Sequence, residues 1–324
     1  MFSFPRALGA LLGTGTLLLV AACGTSTGAN GAQPGQLSIV ASFYPLQFIA
    51  ERVAGSHAEI STLTRPGAEP HDLELTPRQV ASVSTADLVL FEKSFQAAVD
   101  EAVEQSGNEN VLDTTTVVPL ETHDPGESGD DHSEADHEDE GHQGHDHGDL
   151  SGPDPHVWLD PQNMITITEA VTEQLSGIDP DHQQDYQQNA EQLTDELTGL
   201  DSDFDAGLKS CERREFITSH AAFGYLADRY DLTQIGISGL STESEPSPAR
   251  IAEIQQEAKE HDVTTIFYET LVSPDVAQSI ADDLGLKTDI LDPLEGITEQ
   301  SRGKDYLSVM RANLTALQTA NGCT

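Results

Sequence analysis

Short apolar runs alternate with amphipathic helical segments along most of this chain, and the whole alternation occurs twice. In the first half, strands are predicted at residues 37–41, 60–64, 87–91 and 111–113, with helices at 46–53, 77–84 and 97–105. In the second half, strands are predicted at 215–219, 234–238, 264–268 and 288–291, with helices at 223–230, 248–260, 273–284 and 306–317. This order is typical of α/β folds with mostly parallel sheets and helices on both faces.

A long helical pattern separates the two halves. A helix predicted at residues 163–175 is followed by one at 180–208, in which Tyr186, Ala190, Leu193, Leu197 and Leu200 recur at roughly helical spacing. The pattern predicts an N-terminal α/β lobe over residues 37–178, a linking helix over 179–209 and a C-terminal α/β lobe over 210–324. Two similar lobes on either side of one helix suggest a cleft between them.

The N-terminal residues have the pattern of an export signal. Arg6 precedes an apolar run at residues 7–20 that is short for a membrane span, and the run ends in Ala21-Ala22-Cys23-Gly24. This pattern resembles a bacterial lipoprotein signal, which implies that residues 1–22 are removed and that Cys23 carries lipid. Residues 23–36 then form a polar, flexible tether. The alternative is an ordinary secretory signal with a free thiol, and in both cases the protein is exported.

Cys211 and Cys323 are the two remaining cysteines. In an oxidising compartment a bridge between them would close a long loop, worth about 4 to 5 kcal/mol on the chain-entropy model. Their positions in the sequence leave open whether they meet.

The segment at residues 121–149 differs sharply in composition from the rest of the chain. It holds twelve acidic residues, no lysine or arginine, and six of the twelve histidines. Such a segment cannot bury enough apolar surface to offset its ordering entropy, which predicts a disordered loop inserted in the first lobe. It offers weak, interchangeable metal ligands, and we interpret it as an auxiliary capture loop rather than a solvated acidic loop with incidental histidines. The candidate ligands in it are His132, His137, His142, His145 and His147.

The overall charge restricts the class of partner. With 56 acidic and 15 basic side chains the formal net charge is −41. A charge of this sign argues against binding to nucleic acid and favours cationic or neutral partners.

Three histidines occupy loops beside predicted strands. His71 lies in a proline-containing loop at residues 65–77, and His156 lies in P-D-P-H-V-W-L-D-P, where prolines restrict the backbone. His220 directly follows the strand predicted at 215–219. Open α/β sheets place ligands at such strand ends, and imidazole nitrogens suit Zn²⁺ and similar cations. The three histidines are therefore candidate ligands of one metal ion.

The second lobe offers three carboxylates near strand ends as a fourth ligand: Glu269, Asp292 and Glu295. Position in the sequence does not separate them. Glu69, close to His71, is interpreted as loop charge or as a hydrogen-bond partner of a ligand.

Six motifs occur in order along nearly the whole mature chain: S-F-Y-P-L, G-A-E-P-H-D-L-E, D-P-H-V-W-L-D-P, H-A-A-F-G-Y-L-A, E-P-S-P and L-D-P-L-E-G. As a set they resemble those of the metal-binding, ABC-transporter substrate-binding lipoproteins of the zinc and manganese type. The resemblance implies two α/β lobes joined by a long rigid helix, and one metal ion bound in the cleft and delivered to a membrane permease. It also implies an extracytoplasmic protein held at the cell membrane by the lipid on Cys23, and we expect a monomer.

His71, His156 and His220 match the three histidine positions of that family. Glu295 lies 75 residues beyond His220, the separation at which the family usually places its second-lobe carboxylate, so the resemblance favours Glu295 over Asp292 and Glu269. The acidic loop resembles that of zinc-directed members. Manganese-directed relatives typically carry a carboxylate at the position of His220, so Zn²⁺ is the expected ion and Mn²⁺ the alternative.

Two other classes of function fit part of the sequence. A zinc hydrolase could use three histidines and an open water position, but the sequence has no H-E-x-x-H pair and offers a carboxylate to close the shell. A surface adhesin is compatible with a lipid anchor but has no residue signature. The sequence therefore predicts a binding protein rather than an enzyme.

Overall fold

The computed structural model describes residues 36–123, 152–242 and 245–324. Predictions for the signal segment, for Cys23 and for most of the tether lie outside these residues. The same holds for the auxiliary histidines His132, His137, His142, His145 and His147.

A four-stranded parallel sheet with strand order β2-β1-β3-β4 forms the centre of the first lobe. The order places β1 and β3 inside the sheet, and every residue of β3 is buried, as expected for strands covered on both faces. The elements are β1 (Leu37–Ala41), α1 (Tyr44–Ala54), β2 (Ala58–Thr62), α2 (Pro77–Thr85), β3 (Leu88–Phe91), α3 (Ala97–Ser106) and β4 (Val111–Asp113).

Two helices follow the first sheet. Asp160 caps the N-terminus of α4 (Pro161–Ile178) by accepting a hydrogen bond from the backbone of Gln162. A 3₁₀ turn (Pro180–His182) then leads into α5 (Gln183–Leu208), which is 26 residues long. The sequence predicted one helix from residue 180, whereas the first turn at Pro180 is 3₁₀.

The second lobe repeats the architecture with a parallel sheet of order β6-β5-β7-β8. The prediction of mostly parallel sheets is confirmed, since every strand pair in the described part of the chain is parallel. The elements are β5 (Glu215–Thr218), α6 (Gly224–Arg229), β6 (Thr233–Gly236), α7 (Pro248–Glu260), β7 (Thr265–Tyr268), α8 (Asp275–Leu284), β8 (Lys287–Ile290) and α9 (Tyr306–Asn321).

Helix α5 packs against helices of both lobes, namely α1 and α4 of the first and α9 of the second. Its buried stripe repeats at helical spacing and joins one large hydrophobic core that also contains residues of both sheets. The stripe consists of Tyr186, Ala190, Leu193, Leu197, Leu200, Phe204 and Leu208. The prediction of a long helix in contact with both lobes is confirmed.

Trp158 connects the two lobes beside the cleft. This fully buried indole follows His156 in a short 3₁₀ turn, and its Nε1–H donates a 2.7 Å hydrogen bond to the carbonyl of Pro293 in the second lobe. The hydroxyl of Tyr306 donates to the carbonyl of Trp158 at 2.6 Å. These bonds hold the segments that carry His156 and Glu295 at a fixed separation.

The prediction for the start of the acidic segment was wrong. Glu121 and His123 were placed in the disordered loop, but residues 121–123 pack against the second lobe. The backbone of Glu121 accepts from the backbone N–H of Asp154 at 2.7 Å and donates to the hydroxyl of Tyr225 at 2.8 Å. Composition predicts how much apolar surface a segment can bury, but it does not reveal such specific hydrogen bonds.

One strand also begins earlier than predicted. Strand β2 starts at Ala58 rather than at residue 60, because Ala58 pairs with Leu37 at the first position of the register. Leu63 and Thr64, predicted as strand, lie beyond the ladder but still donate backbone hydrogen bonds to Ala41 and Ser42.

Cys211, just after α5, is bonded to Cys323, just after α9. The bridge links the end of the long helix to the last helix of the second lobe. Among the described helices, none combines the length and the apolar character needed to cross a membrane.

Candidate metal centre

Four side chains from four different loops meet in the cleft between the lobes. His71 follows β2, His156 precedes α4, His220 follows β5 and Glu295 follows β8. One ligand atom from each lies within 4.8 Å of the other three. The arrangement follows from topology, because the carboxyl ends of parallel strands meet at one edge of each sheet and the two edges face each other.

The distances between these atoms fit a tetrahedral ion. The Nε2 atoms of His71, His156 and His220 lie 3.1, 3.3 and 3.4 Å from Oε1 of Glu295. The Nε2 atoms of His156 and His220 are 3.3 Å apart. A tetrahedron with metal–ligand bonds of about 2.0–2.1 Å has edges of about 3.3–3.4 Å, and these four distances are close to that length.

Burial differs among the four residues. Glu295 and His156 are fully buried and His220 is 1% exposed, whereas the side chain of His71 is 10% exposed. His71 is therefore the ligand nearest to solvent and marks one side from which an ion can reach the cluster. A cavity of about 190 Å³ borders the cluster at His220, and its lining residues, Ser219 and His220 among them, belong to the second lobe.

Asp154 orients His156. Its Oδ1 atom lies 2.7 Å from Nδ1 of His156 and also accepts the backbone N–H of that residue at 2.9 Å. Burial opposes ionisation of Asp154, but His156 and its hydrogen bonds outweigh that effect and lower the pKa of Asp154 to about 2. An ionised carboxylate only accepts, so Nδ1 of His156 carries a proton in both charge states of the imidazole, and Nε2 presents a lone pair to the cluster once a metal ion displaces its own proton.

Glu269 orients the imidazole of His220 in the same way. Its Oε1 atom lies 2.6 Å from Nδ1 of His220, and both side chains are 1% exposed. Burial disfavours the imidazolium, but the charges and hydrogen bonds of Glu269 and Glu295 raise the pKa of His220 well above its usual value. The pKa of His156 is also raised, because Asp154 outweighs the effect of burial. In the absence of a metal ion, protons on these imidazoles offset the buried negative charge.

Glu295 is the ionised member of the cluster. Burial alone would raise its pKa, yet hydrogen bonds from His156, His220 and His71 hold the pKa well below its usual range. Its second oxygen, Oε2, is buried without a hydrogen-bond partner. A buried carboxylate with one unsatisfied oxygen calls for an explanation, and a cation bound to this carboxylate would supply the missing positive charge.

Glu69 adds a further carboxylate at the rim of the cluster. Its Oε1 atom accepts the backbone N–H of His71 at 3.1 Å, as expected for a partner of a ligand. Burial and the charge of Glu295 raise the pKa of Glu69 to about 8. The site without an ion therefore carries more carboxylate than its surroundings can keep ionised.

The other two carboxylates considered from the sequence stand outside the four-atom cluster. Glu269 orients His220 through a hydrogen bond to Nδ1 and is not itself a member of the cluster. Asp292 accepts hydrogen bonds from the backbone of Leu294 and the hydroxyl of Ser301, which shape the loop that carries Glu295. The role of Asp154 was missed, although its position two residues before a histidine, in Asp-Pro-His, is a usable signal.

A larger cavity, about 730 Å³, lies between α4 and α5 and is lined by side chains such as Glu169, Gln187 and Asp195. It contains no histidine. A metal ion needs convergent buried donors rather than volume, so the small cleft cluster is the better candidate.

The chain is similar to known proteins over most of its length. Residues 39–320 match the family model described as ZnuA, zinc-uptake complex component A, periplasmic. The high-affinity zinc uptake system protein ZnuA of Bacillus subtilis is 34% identical over 308 residues, covering 93% of each chain. The zinc-binding lipoprotein AdcA of Streptococcus pneumoniae serotype 4 is 34% identical over 311 residues. That match covers 95% of this chain but spans only 60% of the relative's length.

A solved structure is similar over most of the chain. The Zn(II)-bound ZnuA-like domain of Streptococcus pneumoniae AdcA superposes with a TM-score of 0.70 at 32% identity. The match covers 89% of this chain and 99% of that domain.

Proposed function

Because the chain belongs to the family of periplasmic zinc-uptake components A, we propose that it captures Zn²⁺ outside the cytoplasm and delivers it to a membrane permease. The ion is bound by Nε2 of His71, His156 and His220 and by Oε1 of Glu295. The observation that carries this proposal is the spacing of 3.1–3.4 Å between Glu295 and the three imidazole nitrogens, which fits one tetrahedral ion.

The donor set favours zinc over manganese. Three imidazoles and one carboxylate provide the low coordination number that zinc accepts, whereas Mn²⁺ prefers more oxygen ligands. The four donors also close the tetrahedron, so no coordination position is kept for a reacting water. This arrangement supports reversible binding rather than catalysis.

Location and partners follow from the same proposal. Lipid on Cys23 anchors the protein to the membrane, residues 23–36 act as a tether, and the protein works as a monomer beside its ABC permease. Residues 37–178 and 210–324 form the two domains, and 179–209 the linking helix. The acidic segment that includes His132, His137, His142, His145 and His147 gathers zinc weakly and raises its concentration near the cleft.

Competition at buffered free-metal concentrations tests the proposal. The protein, purified under metal limitation, is titrated with zinc and manganese, and bound metal is counted by native mass spectrometry. One tight zinc ion is expected, with zinc outcompeting manganese by at least about a hundredfold. Equal affinity for the two ions would contradict the role assigned to His220.

A variant lacking residues 124–149 separates the loop from the cleft. It keeps Glu121 and His123, which belong to the folded part of the chain. The total number of bound zinc ions should fall while the tight event remains. Loss of the tight event together with the loop would refute the division between a tight and an auxiliary site.

A further inference from the structure

A second group of metal-ligating side chains lies outside the cleft cluster. Glu121 and His123 lie in the chain that follows β4 of the first lobe, and Asp228 lies in α6 of the second lobe. One ligand atom from each lies within 4.8 Å of the others. We propose that Glu121, His123 and Asp228 form a second, weaker site for a divalent cation of the zinc type.

The imidazole of His123 is oriented as a metal ligand. Its Nδ1 atom lies 2.7 Å from Oδ2 of Asp154, within hydrogen-bond distance of that carboxylate. The proton is thereby fixed on Nδ1, and Nε2 is free to bind a cation. Nε2 is buried without a hydrogen-bond partner, although the side chain as a whole is 11% exposed.

Two carboxylates face that nitrogen. Oδ2 of Asp228 lies 3.3 Å from Nε2 of His123, and Oε2 of Glu121 lies 3.8 Å from it. The first distance equals the edge of a zinc tetrahedron, and the second differs by about half an ångström. Asp228 and Glu121 are mostly exposed, so their side chains can adjust and water can complete the shell.

The surroundings fix the imidazole in this place. Tyr225 packs edge-on against His123 with ring centroids 4.5 Å apart, and its hydroxyl accepts the backbone N–H of Glu121. At Gly224 a Cβ atom would lie 2.5 Å from the ring of His123 and 2.7 Å from Oδ2 of Asp154. The absence of a side chain at Gly224 therefore leaves room for the imidazole.

The guanidinium of Arg229 does not fill the space in front of Nε2 of His123. Arg229, next to Asp228 in the chain, directs its guanidinium to Asp201 at 3.0 Å. Glu121 and Asp228 also border a surface cavity of about 340 Å³. An ion can therefore reach the site from solvent without passing through the cleft.

The second group is connected to the first by one side chain. Asp154 accepts from His123 through Oδ2 and from His156 through Oδ1, so a single carboxylate orients a histidine in each cluster. A cation at His123 would also tie residues 121–123 to α6. The site does not depend on the proposed function, because zinc binding at His123 can be observed directly.

The alternative occupant is a proton. A protonated His123 would form ion pairs with Asp228 and Glu121 and leave no place for a metal ion. Long-range ¹H–¹⁵N spectra of the full chain with ¹⁵N-labelled histidine distinguish the two, with His123→Gln used to assign the signal. One equivalent of zinc is added first to fill the tight site, so that later changes at His123 are not transmitted through Asp154.

Further zinc should move the Nε2 resonance of His123 to the position of a metal-bound imidazole nitrogen. Asp228→Asn changes a side chain that is 67% exposed, so the fold should be kept while the half-saturating zinc concentration rises roughly tenfold. Asp205→Asn, at an exposed aspartate on α5, is the matched control and should leave it unchanged. An unshifted resonance at about 1 mM zinc, or the same midpoint in Asp228→Asn, would overturn the proposal.

Discussion

Oδ1 of Asp154 lies 2.7 Å from Nδ1 of His156, and both side chains are fully buried. This bond sets the tautomer that turns Nε2 of His156 toward Glu295. A partner of this kind commonly contributes 10- to 100-fold to metal affinity.

Asp154→Asn should therefore weaken zinc binding by about 10- to 100-fold, because the amide neither stabilises charge on the imidazole nor fixes its proton. Chelator competition at neutral pH measures the change. Asp205→Asn serves as a control of the same chemistry on an exposed helix surface. Unchanged affinity in Asp154→Asn would mean that the tautomer of His156 is set in another way.

Glu295→Gln should weaken zinc binding by at least about tenfold, equal to roughly 1.4 kcal/mol, because a neutral amide oxygen replaces the carboxylate. Asp292→Asn is the comparison, since Asp292 caps the same loop from outside the cluster. It should have the smaller effect on affinity and the larger one on thermal stability. The reverse ranking of affinities would assign the fourth ligand to Asp292.

Acidification should release zinc. The raised pKa values of His156 and His220 mean that both imidazoles hold protons to a higher pH than usual. Zinc must displace those protons, so affinity should begin to fall while the pH is still above about 6.5. The pKa of Glu295 is lowered, so this carboxylate stays ionised throughout that range.

Zinc affinity measured from pH 5.5 to 8.5 checks this expectation, and calorimetry in buffers of different ionisation enthalpy counts the protons released. About one to two protons per ion are expected near neutral pH. Affinity that is independent of pH between 6 and 7.5 would show that the imidazoles are already neutral.

Leu197→Ala should lower the free energy of unfolding by about 2–5 kcal/mol, because Leu197 is fully buried in the core where α5 packs. Gln192→Ala, on the exposed side of the same helix, is the control. Zinc affinity should change little in either variant. A large loss of affinity in Leu197→Ala with intact folding would assign α5 a direct role in setting the cleft.

Much of the fold was predictable because hydrophobic periodicity and proline positions report local structure. Helix α7 and strands β1 and β4 have the predicted bounds. The histidines were predictable as a group because parallel topology brings strand ends together.

The residue pattern alone did not separate the three carboxylates, and only the family resemblance favoured Glu295. Asp292 is held by Ser301, and Glu269 is held by His220, through contacts between distant segments. Spacing along the sequence does not encode such contacts. The ordered start of the acidic segment was missed for the same reason, since it rests on Tyr225 and Asp154, residues that lie well beyond it in the chain.

The most direct test of the central claim is X-ray absorption at the zinc K-edge, on protein loaded with one equivalent of zinc. A site made of His71, His156, His220 and Glu295 predicts four nitrogen or oxygen ligands at about 2.0–2.1 Å, with multiple scattering from three imidazoles. Glu295→Gln should keep the imidazole signal, whereas His220→Ala should reduce it to two. A spectrum with six oxygen ligands, or with one imidazole or none, would contradict the assignment.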